Sequence, residues 1–92
     1  MGGYRIRYRD RDYQLAGTEL FIGRSSACVL RLCDGLVSRR HARVFVQDGA
    51  VWVEDLGSSN GTWFNKARIK RRKVEDGDEY YICSEKIKLV MR

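Results

Sequence analysis

The chain contains no proline, a single histidine and no apolar run near the roughly 20 residues that a membrane-crossing helix needs. With proline absent and glycine moderate, no linker or low-complexity tract stands out. The first residues, MGGYRIRYRD, lack the apolar centre of a secretory signal, so a cytoplasmic location is expected, or a nuclear one in a eukaryote. Cysteine is sparse and odd in number. Cys28, Cys33 and Cys83 form no Cys-x-x-Cys pair, which excludes a secreted disulfide framework. Together with His41 they match no common zinc spacing, so buried thiols are expected and neither a metal nor a cofactor. An apolar repeat of 3.6 residues is also missing, and with it any useful length of amphipathic helix.

What is present is a two-residue period. Tyr4, Ile6 and Tyr8 alternate with Arg5, Arg7 and Arg9, and Asp10-Arg11-Asp12 reads as a turn into a returning strand with Tyr13 and Leu15. Residues 18–23 form a short apolar run. Cys28, Leu30 and Leu32 alternate with Val29 and Arg31 before the turn at Cys33-Asp34-Gly35. Ala42, Val44 and Val46 alternate with Arg43, Phe45 and Gln47, and Asp48-Gly49 predicts a tight hairpin into residues 50–55. Further strands are expected from Trp63, across residues 79–82, and through Ile87, Leu89 and Met91. Many short strands joined by Gly, Asp, Asn and Ser turns specify an all-β sandwich or barrel. At 92 residues this is one domain over 1–92, with a core at roughly 4–91, whether standing alone or cut from a larger protein.

The net charge of +6 favours an anionic partner without saying which. In a sandwich the end loops carry function, and three are polar enough to matter. Gly23-Arg24 ends one strand, and an arginine there offers a planar fork of donors to phosphate or carboxylate. Ser38 and His41 lie three apart in GLVSRRHARV. A nucleophile and base would also need an orienting group and an oxyanion site, and neither is evident. His41 is better read as a ring that bonds on both sides and ties two loops together. The third loop is LGSSNGTWFN, residues 56–65. Asn60-Gly61 suits a turn with positive φ, and the Asn60 amide can mimic a peptide group and grip an extended chain. Ser58, Ser59 and Thr62 can satisfy loop backbone.

Taken in order, Gly23-Arg24, Ser38-x-x-His41 and Leu56-x-Ser58-x-Asn60-Gly61-Thr62-x-x-Asn65 closely resemble the signature of the forkhead-associated (FHA) domain, and Asp76-Gly77-Asp78 looks like the family too. The resemblance spans residues 4 to 91. It implies a twisted β-sandwich of two sheets, FHA/SMAD-like, with about eleven short strands. It further implies a non-catalytic, monomeric module that reads phosphothreonine in proteins or peptides for signalling, with no membrane partner. By that resemblance Arg24 and Ser38 contact the phosphate, Ser59 stands near it, and Asn60 holds the peptide backbone. Gly23 and His41 shape the loops, and Ser58, Gly61, Thr62 and Asn65 brace the third. Three positions depart from the pattern. Arg39 either adds a second cation near the phosphate or points to water. Lys66 stands where glycine is common, so the next turn is expected to change type, and Cys83 also replaces a frequent glycine. Two alternatives remain. Residues 66–73, KARIKRRK, place six cations in eight positions and could meet nucleic acid weakly, but no aromatic platform accompanies them, and a solvated hairpin face is the plainer reading. A phosphate-independent protein contact would show as an exposed patch around Trp63 and Phe64.

Overall fold

The computed structural model describes residues 4–14 and 17–91. Among these, eleven strands and no helix occur: β1 (Tyr4–Tyr8), β2 (Arg11–Gln14), β3 (Glu19–Gly23), β4 (Leu30–Arg31), β5 (Ala42–Gln47), β6 (Ala50–Asp55), β7 (Thr62–Phe64), β8 (Ala67–Ile69), β9 (Arg71–Lys73), β10 (Glu79–Ile82) and β11 (Glu85–Met91). They form two sheets, one in the order β2-β1-β11-β10-β7-β8 and the other β4-β3-β5-β6-β9. Pairing is antiparallel except between β3 and β4.

The alternation read from the sequence is the alternation of the pleat. Ile6, Tyr80, Ile82, Ile87 and Leu89 from one sheet meet Leu20, Ile22, Val44, Val51 and Val53 from the other, all fully or nearly fully buried. Each such side chain contributes about 1.5–3 kcal/mol on burial. Phe45 departs from the simple pattern. It is buried on the outer side of its sheet, beneath the guanidiniums of Arg43 and Arg71, which lie 4.0 and 5.2 Å from its ring centre.

Several sequence expectations shift by a residue or two. The first turn is Arg9-Asp10, with Arg9 at φ 56°, while Arg11 and Asp12 already pair with Tyr8 and Arg7 in β2. Leu15, expected on the same strand, lies outside the described residues. Only Leu30–Arg31 of the 28–32 alternation is a strand, although Cys28, Leu30 and Leu32 are all buried. Of the three thiols expected inside, Cys28 is buried, Cys83 half-buried and Cys33 exposed.

The basic segment is not one hairpin face. β8 belongs to the six-stranded sheet and β9 to the five-stranded one, so the chain crosses between layers at Lys70. Half of its cations serve the fold. Arg68 donates to the Ser58 carbonyl at 2.9 Å, Arg71 lies over Trp52 at 4.7 Å and bonds Gln47, and Arg72 lies over Phe64 at 3.8 Å.

Candidate functional site

The three polar loops meet at one end of the sandwich. The register places Ile22 opposite Ala42 and Ala42 opposite Asp55, so the end of β3, the start of β5 and the end of β6 lie side by side. Loop backbone bonds continue the sheet beyond the strands. Arg24 N–H donates to Ser38 O at 3.0 Å, Ser25 N–H to Arg39 O at 3.1 Å, and Leu56 N–H to His41 O at 2.9 Å. Gly23 is required by this clasp. A Cβ there would lie 2.1 Å from the Arg39 carbonyl oxygen, which is backbone and cannot swing aside.

His41 is completely buried and joins the second loop to the third. Its Nδ1 accepts the Ser38 N–H at 3.1 Å, which leaves Nε2 to donate to the Gly61 carbonyl at 2.8 Å. The ring is therefore a strut, as its two-sided bonding capacity predicts.

The third loop is organised by Asp55, which sequence reasoning passed over as the last residue of a strand. Its Oδ2 accepts the N–H groups of Gly57 and Ser58, and its Oδ1 accepts the hydroxyls of Ser58 and Thr62. Burial acts to raise this carboxyl, but the bonds from Ser58, Thr62 and the Ser58 N–H outweigh it, and the group is held below the usual carboxylate range. An Asp followed at two and three residues by Gly and Ser has the spacing of an Asx turn, and that signal could have found it. Ser58 Oγ passes the network on by accepting the Gly61 N–H at 2.9 Å. Gly61 itself sits at φ 87°. Asn65, expected to brace this loop, makes no side-chain hydrogen bond to it among the described residues. It occupies the β7–β8 turn with φ 50°.

The proposed contact residues surround the second loop. Arg24 Nε donates to the Val37 carbonyl at 3.0 Å, which fixes the guanidinium plane and leaves both Nη groups without a partner among the described residues. Arg31 in turn holds the Arg24 carbonyl at 3.0 Å. Ser38 Oγ accepts the Ser59 N–H at 3.4 Å, so its own proton remains free to donate. Asn60 Nδ2 donates to the Leu36 carbonyl at 2.7 Å, leaving its second N–H and its oxygen for other partners. Arg39 is exposed and without a side-chain partner among the described residues, and its backbone carbonyl is the one that clasps the first loop. Two flanking residues were not expected. Leu36 is 66% exposed beside Asn60, and Cys83 Sγ donates to the same Leu36 carbonyl at 3.4 Å. Burial first, then the nearby Asp34 and Glu85 carboxylates, raise the Cys83 thiol above its ordinary value. Among the described residues no group of three or more His, Cys, Asp or Glu could hold a metal ion.

Comparison with known proteins identifies the family and the fold. The family model for the FHA domain matches residues 20–83. FHA domain-containing protein FhaB of Mycobacterium tuberculosis is 40% identical over 55 residues, which are 60% of this chain and 36% of that protein. The chain therefore spans little more than a third of that relative. A solved structure from a study of phosphothreonine-dependent FHA domain interactions is 31% identical. It superposes with a TM-score of 0.89 over 98% of this chain and 97% of the other. EmbR of Mycobacterium tuberculosis, solved with a low-affinity phosphopeptide, gives a TM-score of 0.91 at 27% identity over 97% of this chain and 24% of its own. The loop clasp around Gly23, the buried His41 strut and the matched segment lead to one conclusion: the chain belongs to the FHA domain family.

Proposed function

We propose that the chain is a phosphothreonine-binding module that joins phosphorylated proteins without chemical turnover. The observation that carries this reading is the convergence, around one loop, of free guanidinium Nη groups, a hydroxyl proton and a partly free amide. Phosphothreonine brings about −1.5 to −2 charges and three strong acceptor oxygens. Arg24 takes two of them as a fork, and Ser38 Oγ and the Ser59 N–H take the third. Each charge-assisted bond is worth about 1.5–3 kcal/mol net, enough together to reject unphosphorylated threonine. Asn60 bonds the peptide backbone with the N–H and oxygen not committed to Leu36. The threonine methyl lies between the second and third loops, where it contributes about 1 kcal/mol over serine. Arg39 adds long-range attraction from the same rim.

Residues 4–91 act as one unit, alone or within a longer protein. Because threonine phosphorylation needs a kinase and ATP, the working compartment is the cell interior. Among the described residues no helix is long and apolar enough to cross a membrane.

Calorimetry with a phosphothreonine peptide library tests the site. Wild-type protein binds the phosphorylated peptides and not their unphosphorylated forms. Arg24→Ala loses that binding while giving up only about 1 kcal/mol of stability for the Val37 bond. Unchanged affinity in the variant removes the proposed site.

A further inference from the structure

Beside the loop end, the outer face of the six-stranded sheet carries a feature that phosphate recognition does not use. Trp63 is 36% exposed and Tyr81 is 43% exposed. The two are directly opposed across β7 and β10, and opposed residues share a face. The same register continues on both sides. Tyr81 faces Lys86 on β11, and Trp63 faces Arg68 on β8. Four neighbouring strands thus present one row, Lys86, Tyr81, Trp63, Arg68. Thr62, Phe64, Tyr80 and Ile82 alternate to the interior side. The expectation from sequence that no aromatic platform accompanies the basic segment is overturned here, because the two rings meet only through strand pairing. A concavity of about 520 Å³ adjoins the row and is lined by Trp63, Asn65, Lys66, Glu79 and Tyr81. Lys66 lines it, and Lys86 and Lys88 stand opposite Tyr81 and Glu79 on the neighbouring strand, with Lys86 3.8 Å from the Glu79 carboxylate. Large rings rimmed by cations on an otherwise polar sheet face mark a binding surface, and Trp, Tyr and Arg are the residues that anchor one.

We propose that this face is a second docking surface for the phosphorylated partner, taking an apolar side chain flanked by carboxylates on the same polypeptide. The inference rests on the phosphothreonine reading of the loop end. Continuity decides the occupant. The Trp63 indole N–H donates to the Asn60 carbonyl at 3.0 Å, so the row begins at the residue that grips the peptide backbone. A chain leaving Asn60 meets the indole next. The excess of cations selects acidic flanking residues, and the rings select an apolar anchor. A nucleic-acid strand fits less well, because Trp63 and Tyr81 form one opposed pair and not the series of rings on which successive bases stack. Joining two contacts on one chain makes the second intramolecular, so a weak anchor gives a large gain in affinity.

The test uses a fluorescent phosphothreonine peptide with alanine flanks, and the same peptide carrying an Asp-Glu-Phe-Asp-Glu extension on either its N- or its C-terminal side. One extended peptide binds wild-type protein about tenfold more tightly than the short one. Tyr81→Ser and Lys86→Glu abolish that gain and leave the short peptide's affinity unchanged, since neither residue bonds Arg24, Ser38 or Asn60. A gain that survives both variants overturns the proposal, as does the absence of any gain. Titration with oligo(dT) is run in parallel. Binding that falls in Tyr81→Ser, with neither extension helping, overturns it in favour of single-stranded nucleic acid. Failure of the short peptide to bind wild-type protein refutes the phosphothreonine reading itself, and the second surface falls with it.

Discussion

Two polar residues, one buried and one half-buried, set the loop end, and they differ in how visible they were. His41 is the only histidine, and its two-sided bonding could be argued from its ring nitrogens and its place between polar loops. Asp55 gave a fainter cue, the Asx-turn spacing to Gly57 and Ser58, which its place at the end of a strand disguises as ordinary edge polarity. Only the folded loop shows four donors aimed at its two oxygens. Asp55→Ala strips those donors of their acceptor and costs about 2–4 kcal/mol, which a thermal melt reads as a fall of roughly 10 °C or more. The acid limb of stability tests the same residue. Its folded carboxyl titrates below the unfolded value near about 3.9, so its contribution is complete above that value and fades as pH falls through the folded one. Chemical unfolding between about pH 5 and 2 therefore declines less steeply in Asp55→Ala than in wild type. Identical slopes would show that the carboxylate does not anchor the loop.

At the scale of elements, the period-two pattern located most strands because one face of each is buried. It missed β8 and β9, three-residue strands too short to show a period, in which Arg68 serves the Ser58 carbonyl and Arg71 and Arg72 lie over aromatic rings. Turn chemistry was legible where the residues were favourable. Asp48-Gly49 has φ 54° and 75°, the two positive values of the expected type I′ hairpin. It was illegible where the residue opposes its conformation. Lys66 follows Asn65 with φ 66° and 50° respectively, so the β7–β8 turn keeps both positive values, and the expected change of type does not occur. A side chain in the left-handed region is strained, and glycine there is not. Lys66→Gly accordingly raises stability by about 1 kcal/mol, or roughly 4–8 °C in a melt. An unchanged or lower melting temperature would mean that the lysine side chain offsets its backbone strain. Cys83, at φ 57° in the β10–β11 hairpin, is a second residue held where glycine is the easier choice.

For the whole molecule, charge and shape act together. With a net charge of +6 and an anionic ligand, association gains from the overall field as well as from the contacts at the rim. Phosphopeptide association rates measured by stopped flow should fall several-fold between about 50 and 500 mM salt, with dissociation rates changing much less. A salt dependence carried by the dissociation rate alone would place the electrostatic effect in the bound contacts. The direction of the strands has a further result. β11 runs from Glu85, beside the loop end, to Met91, which pairs with Tyr4 of β1. The first and last described residues therefore emerge together at the pole farthest from Arg24 and Asn60. Any polypeptide fused there leaves the reading rim unobstructed, like a handle fixed opposite the jaws of a clamp. A short bridge between those two ends, with new ends opened in an exposed turn, would give a circular permutant that still presents the same rim.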